Sequence, residues 1–154
     1  MKIGLNTLIT RKSADVALLA QRAEALGFES FWVAEEPFIP VNSASRYPGS
    51  ADGVIPEIFS EIASPLIVLA RASALTTRIK LGTGICLVPL YNPLLLAKEI
   101  ATLDHLSGGR FIFGIGAGWL KEQARILGND FKLRWPQTKE AIEAMKEVWT
   151  KDEA

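Results

Sequence analysis

Two adjacent carboxylates, Glu35 and Glu36, follow a short apolar and aromatic run, the first arrangement in this 154-residue sequence that invites acid–base chemistry. Neighbouring side chains on an extended segment point to opposite faces, so the two do not form a paired dyad and at most one faces a pocket. By residue type alone, either reads as a solvated loop carboxylate. Other reactive side chains are sparse, for His105 is the only histidine and Cys86 the only cysteine. His105 falls in the last turn of an expected helix, where a cation offsets the macrodipole. With no second histidine, neither a metal site nor a serine triad can be assembled, and no metal is expected. Cys86 reads as a small buried apolar residue; a single cysteine excludes an intrachain disulfide and fits a reducing compartment.

Glycines give the second signal. Gly82, Gly84, Gly114 and Gly116 interrupt runs that otherwise read as buried strands, where a glycine loses packing and costs entropy. Either a flat ligand approaches the backbone there, or a tight barrel interior leaves room only for hydrogen; spacing leaves both open. The run Gly114-Ile115-Gly116-Ala117-Gly118-Trp119 places Trp where the dinucleotide fingerprint needs its third glycine, so that motif fails. A turn of backbone amides ahead of a helix can still hold a phosphate. Ser45-Arg46-Tyr47-Pro48 and Asp52-Gly53 suit substrate contact and are equally ordinary turn chemistry. Trp119, Trp135 and Trp149, at helical spacing, read as core.

The elements that must position these residues alternate. Lys2 to Leu5 reads as a strand, and Ser13 as the cap of a helix carrying Val16, Leu19, Ala20, Ala23 and Leu26, stopped by Gly27. Ser30 to Ala34 reads as a strand buried on both faces. Residues 37–63 form a long loop rich in Pro, Ser, Asn and Gly, a length that usually marks function or disorder. Ser64-Pro65 opens a helix to about Thr77, Ile79 to Val88 is a strand, and Asn92-Pro93 opens a helix with Leu96, Ile100 and Leu103 on one stripe. Ser107-Gly108-Gly109 stops it, Arg110 to Ile115 is a fourth strand, and a last helix runs from about Thr138 through Ile142, Met145 and Trp149. Four strand and helix units imply an α/β fold with parallel strands and right-handed crossovers. Ligands in such folds meet the carboxyl ends of the strands, which selects Asn6-Thr7, Glu35-Glu36, Thr83-Gly84-Ile85 and Gly116-Ala117-Gly118.

Lys and Arg number 17 against 17 Asp and Glu, and zero net charge argues against a nucleic-acid or anionic-membrane partner. At 49% hydrophobic and 22% charged, the composition is that of a folded domain. No apolar run reaches the roughly 18 residues of a membrane span, and the first ten residues lack the order of a secretory signal, so a cytoplasmic protein is expected.

The stretch Asn92-Pro93-Leu94-Leu95-Leu96-Ala97-Lys98-Glu99-Ile100-Ala101-Thr102-Leu103-Asp104-His105-Leu106-Ser107-Gly108-Gly109-Arg110-Phe111, continuing through Gly114 to Trp119, resembles the luciferase-like monooxygenase superfamily. Within it the sequence is most similar to oxidoreductases that use the deazaflavin coenzyme F420. Gly27-Phe28-Glu29-Ser30, Trp32-Val33-Ala34-Glu35, Ser45-Arg46-Tyr47-Pro48, Ala51-Asp52-Gly53 and Leu81-Gly82-Thr83-Gly84 support the match, which runs from Met1 to about Thr150. The resemblance implies a (β/α)8 barrel of the TIM type, of which residues 1–154 supply the first four units as a half-barrel. It implies F420, or alternatively FMN, a small-molecule substrate, and closure of the open sheet by a second copy or a second half. It also implies a cis peptide at Gly84-Ile85 backing the cofactor's central ring, with Gly116-Ala117-Gly118 near its phosphate end. Asn6, Glu35 and Thr83 would line the pocket, and Arg46 and Tyr47 would meet substrate. Many relatives carry histidine at the position of Glu36, a candidate proton donor. A carboxylate replaces it only where burial raises its pKa. A catalytically silent cofactor-binding module is the alternative reading.

Overall fold

The computed structural model describes residues 1–154 and contains the expected alternation with redrawn boundaries. Strand β1 is Gly4–Thr7, two residues later than the apolar run suggests, because its ends are set by parallel pairing with β2, Ser30–Val33, from Gly4 opposite Ser30 to Thr7 opposite Val33. Helix α1 is Val16–Ala25, and its cap is Asp15, whose carboxylate accepts the Ala17 N–H at 2.9 Å. Ser13 closes the preceding turn instead, accepting the Thr10 N–H at 3.0 Å. Helix α2, Pro65–Ala74, stops short of Thr77.

The third expected strand divides. Its first part, β3, Lys80–Thr83, pairs with β2, and its second, β4, Cys86–Leu87, pairs with β6, Ile115–Gly116. Between them the chain changes partner, the Gly84 N–H bonding to Val33 O and the Cys86 N–H to Gly114 O, both at 2.8 Å. The fourth expected strand divides likewise into β5, Phe111–Ile112, beside β3, and β6. The main sheet is therefore parallel, in the order β1-β2-β3-β5.

Helix α3, Pro93–Ser107, has the start the sequence announces, with Asn92 accepting the Leu94 and Leu95 N–H groups, and ends at Gly108 in the left-handed region at φ 68°. A six-residue helix α4, Lys121–Ile126, is too short to show periodicity and was not expected. Helix α5, Arg134–Thr150, starts four residues before Thr138, since Pro136 sits in the first turn, where a missing N–H is tolerated. No helix is long and apolar enough to cross a membrane.

The helices form one layer outside the sheet. Phe31, Val33 and Leu81 turn toward α1 and α2 and are buried there with Ala20, Ala23, Leu69, Ala72 and Ile79, while Leu96, Ala97, Ile100 and Met145 join α3 to α5. The amino ends of the strands are held by two half-buried polar hubs. Glu24 accepts the N–H groups of Thr77, Arg78 and Ile79. The Arg110 guanidinium donates to the carbonyls of Ser73, Thr76, Ile79 and Ser107 and to the Thr76 hydroxyl, at 2.6 to 3.1 Å. These carbonyls lie at the ends of α2 and α3, where a cation and five directed donors satisfy groups the helices leave unpaired.

Candidate active site

The inner face of the sheet settles the question the glycines posed. A Cβ on Gly82 would lie 2.5 Å from Cζ3 and 2.8 Å from Cδ2 of Trp32, one on Gly4 2.9 Å from its Nε1, and one on Gly114 3.4 Å from its Cζ3. Gly4 and Gly82 make room for one indole laid across the lumen, whereas at Gly114 a Cβ would strike the Thr83 carbonyl. Gly116 gives way to the Ile85 side chain in the same manner. Gly84 is different: its nearest neighbours, Asn6 Nδ2 and Trp32 Cβ, are 3.7 Å from where a Cβ would stand. A methyl there would make only ordinary contacts, so packing does not account for this glycine.

The Gly84–Ile85 peptide is cis, as the resemblance implies. Ile85 is exposed beside it, and the Asn6 carboxamide is exposed and makes no hydrogen bond within the protein. Thr83 does not face the pocket. It is fully buried, and its hydroxyl donates to Gly114 O at 2.8 Å and accepts the Gly114 N–H at 3.0 Å, tying β3 to the fourth strand. Gly116 and Ala117 are buried, and Gly118, at φ +78° with nothing against its open face, turns the chain into Trp119 and α4.

Both carboxylates depart from the solvated reading. Glu35 accepts the Leu87 N–H at 2.5 Å and the Tyr91 hydroxyl. Glu36 is 5% exposed and accepts the Trp119 indole N–H at 3.3 Å and the side-chain amide of Gln123, which also donates to Phe38 O. Their partners lie on different elements, as opposite-pointing neighbours should have. Yet both line one cavity of about 220 Å³ with Ile62, Ser64 and Tyr91, where at most one was expected to face a pocket. Burial pushes both carboxyls above the usual range, against the hydrogen bonds that favour ionisation, and the Glu35 charge raises Glu36 further. Burial also pushes up the Cys86 thiol and the Tyr91 phenol, so neither is a nucleophile at neutral pH.

The long loop is strapped to α4. Glu122 accepts the N–H groups of Ala44 at 3.0 Å and Ser45 at 3.3 Å, and the Ser45 hydroxyl, with these backbone N–H groups behind it, holds its carboxyl down to about 2. Tyr47 meets Phe59 edge-on at 5.1 Å and Trp119 at 5.4 Å. Arg46 is exposed, and its guanidinium donates to Asp52 O, closing its own loop. Trp119 therefore joins Tyr47 to Glu36 and is part of the site and not simply core. Trp135 is 62% exposed, which removes it from the core as well. Residue type alone misses Trp32, Tyr91, Glu122 and Gln123, because nothing local in the sequence marks a partner 50 to 87 positions away.

The sequence model of the luciferase-like monooxygenase family matches residues 1–154. The chain belongs to this family. It is 37% identical, over 155 aligned residues, to an uncharacterised protein of Mycobacterium tuberculosis, a match covering all of this chain and 55% of that protein. It is 30% identical over 143 residues to an F420-dependent glucose-6-phosphate dehydrogenase of Amycolatopsis mediterranei, covering 90% of this chain and 38% of that enzyme. Among solved structures it is similar to monooxygenase RslO1 of Streptomyces bottropensis, with a TM-score of 0.78, 28% identity, and coverage of 100% of this chain and 44% of the other. The chain thus spans about half the length of the relatives it matches, and its four parallel units correspond to half of their barrel.

The inner face has features that would suit a flat cofactor such as the F420 named for one of these relatives: only ordinary contacts at the Gly84 position, an exposed and unbonded Asn6 carboxamide, and a turn at Gly118 with nothing within 4 Å of its open face.

Proposed function

We propose that the chain is the cofactor-holding half of a luciferase-like oxidoreductase, taking coenzyme F420, or alternatively FMN, at the carboxyl ends of its strands. The observation that supports this reading is Gly84, the one inner-face glycine whose absent side chain would meet only ordinary contacts, at 3.7 to 3.8 Å, beside the unbonded Asn6 carboxamide and at the end of a parallel sheet where barrel enzymes place their chemistry. A bound deazaflavin or flavin supplies hydride transfer to or from a small organic substrate, and reduced FMN would add oxygen chemistry. The protein's own part is placement and proton control. Gly84 and Ile85 form a wall for the ring, and Trp119 and Tyr47 give the substrate side an aromatic face. Glu36, buried and raised, holds a proton at its carboxyl more readily than a solvated glutamate and stands in the role of acid.

Strands β1 and β5 each have one unpaired edge, so a second half of the barrel, from further chain or a second copy, closes the site. Titration with F420 and with FMN, followed by polarisation of the cofactor's own fluorescence, tests the reading: saturable binding of one is expected. Failure of both would count against an enzyme and favour a silent module.

A further inference from the structure

We infer that Trp32 is a positioning residue for the cofactor ring, its indole forming the rigid floor of the site beneath Gly84 and Asn6. The inference rests on the cofactor reading above and adds a residue to it. Parallel register sets Asn6, Trp32 and Gly82 in one row across β1, β2 and β3, on the inner face, and Gly84 lies one inward position further toward the carboxyl end. The indole is fixed at both ends of that row. Its Nε1–H donates to Ser30 Oγ at 2.9 Å, which draws the nitrogen toward the amino ends of the strands. Its Cβ and Cε3 lie 3.7 and 3.8 Å from the open Gly84 position. Gly4 on β1 and Gly82 on β3 abut the ring, so it cannot sink toward the sheet without displacing backbone. Trp32 nonetheless remains only half-buried, which leaves part of the indole facing the lumen where the ring would rest. A plate of this kind stops a flat ring from settling deeper and excludes water from its underside.

The test uses the 154-residue chain with F420 and FMN as probes, reading the dissociation constant by cofactor polarisation and contact by quenching of tryptophan emission. Trp32→Phe is expected to bind about tenfold more weakly and to lose more than half of the quenching, although three other tryptophans remain. Trp135→Phe should change neither. Far-UV circular dichroism and the urea midpoint show whether Trp32→Phe keeps its fold. Should it not, Trp32→Leu combined with Gly82→Ala refills the same space with aliphatic carbon, and the same loss is expected. Binding within twofold of the parent in a folded variant, with quenching intact, overturns the floor and leaves the cofactor reading standing. Absence of binding by the parent chain to either probe overturns both.

Discussion

Gly82 and Gly84 stand two residues apart on the inner face, and alanine at each separates a glycine kept for packing from one kept for a ligand. At Gly82 the added methyl would lie 2.5 Å from Cζ3 and 2.8 Å from Cδ2 of the Trp32 ring, against the 3.5–4.0 Å at which carbon atoms normally rest. The ring is bonded to Ser30 and cannot sink past Gly4, so the methyl is relieved only by tilting the indole toward the lumen. Overpacking of this kind costs about 1–3 kcal/mol, while the stiffer unfolded chain returns about 0.4–1 kcal/mol. The net loss for Gly82→Ala is therefore about 1–2 kcal/mol, or roughly 3–8 °C in Tm for a domain of this size. At Gly84 the nearest atoms are 3.7 Å away, an ordinary contact, so Gly84→Ala should stay within about 0.5 kcal/mol of the parent while weakening cofactor binding. Urea unfolding followed by far-UV circular dichroism measures both. Adding Trp32→Leu to Gly82→Ala should recover at least about 1 kcal/mol in a double-mutant cycle. An unchanged Gly82→Ala, or a Gly84→Ala as unstable as it, would refute the division between packing and ligand glycines.

Three further outcomes follow from the polar contacts. Arg110→Met removes five donors from the ends of α2 and α3 and should cost about 3–4 kcal/mol in urea unfolding, with Arg110→Lys little better because one ammonium cannot reproduce the fork; a loss under about 1 kcal/mol would show the hub to be decorative. The Glu36 carboxyl is raised in the folded state, so its stability contribution is present below its ordinary value of 4.5 and is lost as pH climbs through the folded value; Glu36→Gln should flatten the decline in stability between pH 4.5 and neutrality, and an unchanged slope would place the titration elsewhere. Glu122 has the opposite sign, stabilising above 4.5 and losing that contribution as pH falls toward 2; at pH 8, Glu122→Gln should loosen the strap and let trypsin cut after the exposed Arg46 several-fold faster, whereas equal cleavage rates would mean the strap is held by the aromatic contacts alone.

Residue periodicity and punctuation carried most of the fold. The stripe Leu96, Ile100, Leu103, the Asn92-Pro93 start and the Gly108 stop are local signals with local causes, and α3 obeys all three. Boundaries that depend on a partner were not legible: β1 slides to match β2, and the third strand breaks because Gly84 and Cys86 find carbonyls on different neighbours. The site shows the same limit. Glu35 and Glu36 look solvated in isolation because the groups that bury and bond them, Tyr91, Trp119 and Gln123, are distant in sequence. The glycine row was ambiguous for a related reason, since the direction in which the Trp32 indole lies is decided by Ser30 and by the vacancies at Gly4 and Gly82 together.

The residues that show the family most plainly span both ends of the strands. Within Asn92 to Arg110, Asn92 caps a helix at the carboxyl ends, beside Tyr91 and its bond to Glu35, while Gly108 ends that helix and Arg110 binds helix-terminal carbonyls at the amino ends of the sheet. Barrel enzymes keep stability at that end and chemistry at the other. The one departure from the resemblance, a carboxylate at Glu36 where many relatives carry histidine, lies at the chemical end and is not an isolated change of charge. It is sealed from water and bonded by the Trp119 indole and the Gln123 amide, two donors that orient an acceptor. Glu36 and Gln123 are thus coupled directly in this chain, so a change at either one alters the hydrogen bonding of the other.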